Sequence, residues 1–406
     1  MRRKFKVIAA IVVLALGAGT FVYFRFKAIS ESVILAIGTQ AGQKLGREIK
    51  FTRIGFSPLK GVVMEGVRVS RAPDASKGCF FSADRVEIRP EISALLKKRL
   101  VFSEVRLVNP SISVREMNGR WDFSDLLALL PGTAKGLHVT WNAKKLTLTG
   151  ARVEADMASS GRSFALENAD VTVRHYSGLA GNFGLELRGR LKSAVKGQLF
   201  SSEVSAKTEL NFSYAGLTSA AGSAALENAE LGAVALDKAE LDWELFNMDK
   251  PATAANYSAH LTAEGLYVPE HSCGAAPLVN SAMRTLSSVM GREAPPVGDI
   301  KLESLALYMA LKDGRLRVEH LSMDTNFLDV GAEYELDGPA RSVSIRFGAR
   351  AGKNALDLSA KGPMDAPEIS PAMSSTLDRK LTEAIRAVNS FFTGIFPITA
   401  TGGHHA

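Results

Sequence analysis

From about residue 50 the chain alternates apolar and polar positions with a period of two. In "NFGLELRGRL", Phe183, Leu185, Leu187, Gly189 and Leu191 fall on one side, and Glu186, Arg188 and Arg190 on the other. Successive side chains of a strand point to opposite faces, so this spacing predicts strands with one apolar face. "EVSAKTELNF" repeats it, with Val204, Ala206, Leu210 and Phe212 opposed to Ser205, Lys207, Glu209 and Asn211. Further on, Leu305, Leu307, Met309 and Leu311 share a side. Asp313-Gly314 follows, a pair suited to a two-residue hairpin turn, and then Leu316 and Val318 resume the pattern. Val343, Ile345 and Phe347, then Leu356 and Leu358, carry it nearly to the end.

A few stretches break the alternation. "RLVFSEVRLVNPSISVREMNGRWDFSDLL" reads as two short strands separated at Asn109-Pro110, then a turn and a scrap of helix. The stretches 91–100 and 121–130 are short helix or turn candidates, and helical spacing appears in 28–46 and 277–292. It is longest in 374–396, where Leu377, Leu381, Ile385, Val388 and Phe392 form a stripe. "SFALENADVTV" (163–173) is echoed by "SAALENAELGA" (223–233), which suggests stacked β units of repeated design.

The amino terminus differs in kind. Residues 7–24 carry no charge, and eighteen residues at ~1.5 Å each span ~27 Å, near the hydrocarbon thickness of a bilayer. Arg2, Arg3, Lys4 and Lys6 precede the run and Arg25 and Lys27 follow it, which places the amino terminus in the cytoplasm. The apolar run continues past Ala18 and Gly19 to Phe24, which favours an uncleaved anchor over a cleaved signal peptide. These six cations also account for most of the net charge of +7: outside residues 1–27 there are 43 bases against 42 acids. A balanced body lacks the cationic surface that nucleic acid requires, so nucleic acid is not an expected partner.

Chemistry-bearing residues are sparse. The seven histidines are scattered, and no zinc-protease, serine-hydrolase or phosphate-loop motif occurs. His271 and Cys273 stand close together, but two donors do not make a zinc site. Cys79 and Cys273 are one possible pair, with no framework around them. The expectation is a protein without catalytic residues, cofactor or metal.

Several segments taken together resemble a family. Leu45-Gly46-Arg47 enters a strand, Gly66-Val67 begins another, and Leu95-Leu96 makes a helical step. Asn109-Pro110 precedes a strand, and Gly119-Arg120-Trp121 precedes Leu126. With "GDIKLESLALYMALKDGRLRVEHLSMD" (298–324), these resemble the AsmA-like family of bacterial envelope proteins, the group that includes TamB and YhdP. The resemblance implies a single-pass inner-membrane protein with a periplasmic body. Its sheet would be mainly β, an elongated series of hairpins curled into an apolar trough along which lipid acyl chains lie. It also implies a role in phospholipid transport and outer-membrane assembly.

On this reading the chain divides into an anchor (1–27), an amino-terminal AsmA-like segment (28–130), a central β region (131–275), a helix (276–294), a second AsmA-like β segment (295–370), and a carboxy-terminal amphipathic helix with its tail (371–406). The groove candidates are Phe183, Leu185, Leu187, Leu191, Leu305, Leu307, Met309 and Leu311. The partners implied are phospholipid, the inner membrane, and an envelope protein docked on the carboxy-terminal helix. Alternation by itself leaves two outcomes open: an apolar face sealed by protein, which makes a scaffold, or one left free for hydrocarbon. The carboxy-terminal stripe equally fits a cap on the β body.

Overall fold

The computed structural model describes residues 47–57, 61–71, 78–91, 102–117, 119–122, 143–159, 161–175, 181–195, 198–213, 216–250, 254–270 and 298–371, with positions 379, 381–383, 385–386 and 388–390. Among them the protein is mainly β. Its strands are β1 (Ile49–Lys50), β2 (Arg53–Ser57), β3 (Gly61–Ser70), β4 (Cys79–Pro90), β5 (Phe102–Val108), β6 (Ser111–Met117), β7 (Arg120–Trp121), β8 (Lys145–Met157), β9 (Arg162–His175) and β10 (Gly181–Val195). They continue with β11 (Gln198–Ser213), β12 (Gly216–Leu231), β13 (Val234–Phe246), β14 (Asn256–Val268), β15 (Ile300–Lys312), β16 (Arg315–Thr325), β17 (Asp329–Asp337), β18 (Ser342–Ala351), β19 (Asn354–Pro363) and β20 (Glu368–Ser370). The described positions from 379 to 390 are helical and are called α1 here. The chain forms two compact units, the described part of the first ending at His175 and that of the second beginning at Gly181.

The first unit is a mixed sheet. β1 and β2 pair with the same edge of β3, and β3 pairs with β4. Both β5 and β6 lie antiparallel to β4 on one side and parallel to β8 on the other. They therefore run in the same direction as one interrupted strand. Asn109 takes a left-handed backbone (φ 48°) at the interruption, and Pro110, which has no N–H to donate, is fully buried there. β9 closes the order antiparallel to β8. Val62, Met64, Val67, Ala83 and Val86 form the buried cluster of this unit.

The second unit is an antiparallel meander in which each strand from β10 to β19 pairs with the next, and β20 adds to β19. The expected Asp313-Gly314 hairpin is present, with both residues at positive φ (51° and 73°) and Lys312 paired with Arg315. The largest buried cluster, Leu311, Leu316, Val318, Tyr334, Leu336 and Val343, lies towards the carboxy-terminal strands.

The expected membrane anchor at 7–24, the helical segments at 28–46 and 277–292, and all but the first residue of the helix-or-turn candidate at 91–100 lie outside the described residues. Among the described residues no helix is long and apolar enough to cross a membrane. Within the stretch 121–130, expected as a short helix or turn, Trp121 ends β7 and Asp122 lies in a turn; the rest is outside the described residues.

Candidate functional site

The second unit carries an apolar face organised in cross-strand rows. Leu187, Ala206, Ala224, Leu241, Leu261 and Leu307 pair in turn from β10 to β15. The row continues through Leu321 and Ala332 to Phe347 and Leu358. A second row runs from Phe183 through Leu210, Ala220, Leu245 and Tyr257 to Leu311. Between them Leu185 connects to Met309 through Thr208, Gly222, Trp243 and Ala259. Three of the four candidates on β10 thus share rows with three of the four on β15. Leu305 shares its row with Gly189, and Leu191, opposite Ser202, lies one row further along β10. The opposite face is polar: Arg190 pairs with Glu203 at 3.0 Å, and Arg317 with Glu335 at 2.9 Å.

Coverage of this face changes from one end to the other. Leu311 is 2% exposed and Leu336 0%, inside the buried cluster, with Leu307, Met309 and Ile345 packed against it. Leu311 is therefore enclosed by protein. Phe183, Leu185, Leu187 and Leu191 are only half-buried, and Leu241, in the row of Leu187, is 38% exposed. The sealed end is where α1 lies, with Ile385 packed against the cluster. Tyr334 Oη donates to Asn389 Oδ1 at 2.7 Å, and Asn389 Nδ2 donates to the Met364 carbonyl at 3.0 Å. Burial pushes the Tyr334 phenol well above its usual range. The stripe expected on this helix is corrected in one place. Val388 is 43% exposed, while Asn389, one residue on, turns inward. The inward spacing at 385 and 389 is four, the interval that keeps side chains on one helix face.

A second feature is a crease, present in each unit. In β8 the apolar positions step through 146 and 148, then 151 and 153; in β9 they step through 164 and 166, then 169 and 171. In β3 they are 62 and 64, then 67 and 69. In β8 and β9 the slip is a register shift, the signature of a β-bulge, and bulges bend the strands that hold them; in β3 the register with β4 runs on unchanged through the step. At these steps in the first unit stand four left-handed residues, Gly66, Asn109, Gly150 and Asn168. They lie across neighbouring strands, and the residue after each is buried: Val67, Pro110, Ala151 and Ala169, the last 0% exposed. Asn109 Nδ2 donates to Asp84 Oδ2 at 2.8 Å, and the Gly150 amide donates to Asp170 Oδ1 at 2.9 Å. A β-carbon at Gly150 would collide with Asn109 Oδ1. In the second unit Asn228 and Gly265 are left-handed, and a β-carbon at Gly265 would collide with the Asp237 carboxylate.

The first unit also holds a buried polar clasp. Arg71 is ion-paired with Asp122 and donates to the Ser113 carbonyl at 2.8 Å and hydroxyl at 2.9 Å. Arg47 donates to the Asp122 carbonyl at 2.6 Å and stacks over Phe80 at 4.4 Å. Burial, and then the charge of Arg115, lower the Arg71 pKa. Two of the quoted sequence motifs meet here, since Arg47 follows Leu45-Gly46 and Asp122 follows Gly119-Arg120-Trp121. Their spacing in sequence gave no sign of this.

Among the described residues no three metal-ligating side chains converge. Cys79 is exposed and free, and His271 and Cys273 lie outside the described residues. A depression of about 440 Å³ on the second unit includes the polar Glu333, Arg346, Asp357 and Ser359 beside the glycine pair Gly331–Gly348. No family model matches the chain, and no curated protein matches it.

Proposed function

We propose that this protein is an AsmA-like, inner-membrane-anchored envelope protein whose second unit holds lipid acyl chains against its apolar face, contributing to phospholipid transport and outer-membrane assembly. The observation that carries this reading is the row from Leu187 to Leu307, apolar on every strand yet half-open at Leu187 and Leu241. Monomeric proteins rarely leave a contiguous apolar patch of this kind without a use for it. A hydrocarbon chain laid there would keep each methylene out of water, worth about 0.8 kcal/mol apiece. Because the chain is already dry in a bilayer, moving it onto the protein is close to balanced. Holding lipid on such a face calls for no bond chemistry. The uncharged run at 7–24, the motif resemblance and the small charge excess of the body support the same reading.

The experiment places a photoreactive benzoyl-phenylalanine at Leu187 or, separately, at Arg188 in the full chain held in bilayer discs. These neighbours alternate between the two faces of β10. Phospholipid adducts at 187 and none at 188 are the expected result. Equal labelling, or none at either position, overturns it and leaves an anchored scaffold as the better reading.

A further inference from the structure

We propose that α1 is a displaceable cover on the apolar face, and that a hydrocarbon chain takes its place. This rests on the reading above and adds a device to it. The residues beneath the helix belong to the same rows as the half-open end. Leu311 pairs with Leu316, Leu316 with Leu336 and Leu336 with Val343, which extends the row that begins at Phe183. The face therefore does not stop where the helix begins; it passes under it.

The way α1 is fastened fits removal. Its described inward positions are Leu381 and Ile385, both apolar and only half-buried, and an amide, Asn389, which at 4% exposed is the most deeply buried of the three. Asn389 is held by the Tyr334 phenol and the Met364 carbonyl, and Arg386 Nε donates to the Asp365 carbonyl at 2.6 Å. Asn389 and Arg386 thus reach adjacent carbonyls of one turn after β19. The groups that these three bonds engage on the sheet side are a phenol and two carbonyls, all neutral, and water replaces such bonds at modest cost. A permanent seal would gain more from an apolar side chain at 389, since a buried amide contributes no hydrophobic burial. The helix also presents Val388 outward, so its apolar side chains are not all committed to the sheet.

The test again uses the full chain in bilayer discs, with the photoreactive residue at Leu307, which packs against the covered cluster, and at Leu187 as the reference. The double variant Tyr334→Phe/Asn389→Leu replaces the polar fastening by apolar contact and should lower lipid labelling at 307 about tenfold. Ile385→Asp loosens the cover and should raise it several-fold. Both should leave labelling at 187 unchanged, which also shows that the variants are folded. Labelling at 187 with no change at 307 in either variant overturns the cover and leaves the lipid reading standing. Loss of labelling at 187 in the unmodified chain removes both.

Discussion

Asn168 on β9 and Asn228 on β12 hold the same left-handed backbone conformation, φ 50° and 51°, and each is followed by a buried alanine, Ala169 and Ala229. They are the matching asparagines of the repeated Leu-Glu-Asn-Ala. The echo between residues 163–173 and 223–233 thus has a local physical meaning. Asparagine tolerates the left-handed region, and the alanine after it fits the inside of the bend.

Substitution at these positions should separate backbone from side-chain effects. Asn168→Gly and Asn228→Gly should be nearly neutral, because glycine adopts positive φ freely. Asn168→Val and Asn228→Val should each cost about 1–2 kcal/mol. Ala169→Leu should cost about 1–3 kcal/mol by overpacking. Urea unfolding followed by circular dichroism gives each value.

Truncations along one face should report where protein already covers it. Leu336→Ala, at a fully buried site, should cost about 2–5 kcal/mol. Leu241→Ala, at a site 38% exposed, should cost under about 1 kcal/mol in lipid-free protein. Similar losses at both sites would show that the face at Leu241 is closed in solution.

The clasp in the first unit should be sensitive to loss of its one carboxylate. Asp122→Asn leaves the buried Arg71 without its ion pair and should cost about 3 kcal/mol. Arg71→Lys should not restore it, because a single ammonium cannot reach Asp122 and Ser113 in the same fork geometry. Thermal unfolding of both variants checks this.

Tyr334 makes a pH prediction. Its folded pKa is raised by burial, so its contribution to stability is present in full below the unfolded value of about 10 and declines as pH climbs towards the folded one. The stability difference between the native chain and Tyr334→Phe should therefore be constant from pH 7 to 9 and shrink above about pH 10. Near neutrality the variant should lose about 1 kcal/mol, because the Asn389 carbonyl oxygen loses this donor. A difference that stays flat to pH 11 would show that the phenol is solvated.

The amino-acid sequence by itself determined the strands, their one-sided character and the hairpin at Asp313-Gly314, because alternation and turn chemistry are local properties. It also recorded the crease: stepping from Met64 to Val67, or from Leu148 to Ala151, is a three-residue slip in a two-residue period. What only the tertiary structure decided was register and coverage. That Leu187 and Leu307 share a row depends on five successive pairings across six strands. The clasp of Arg47 and Arg71 on Asp122 depends likewise on contacts between distant segments. The inward turn of Asn389 in place of Val388 was hidden for a further reason: hydropathy ranks valine as the buried partner, and only the phenol of Tyr334, brought over it by the sheet, makes the amide the better fit. Alternation gives a strand an apolar side; the chain around that side decides whether it is core or open surface.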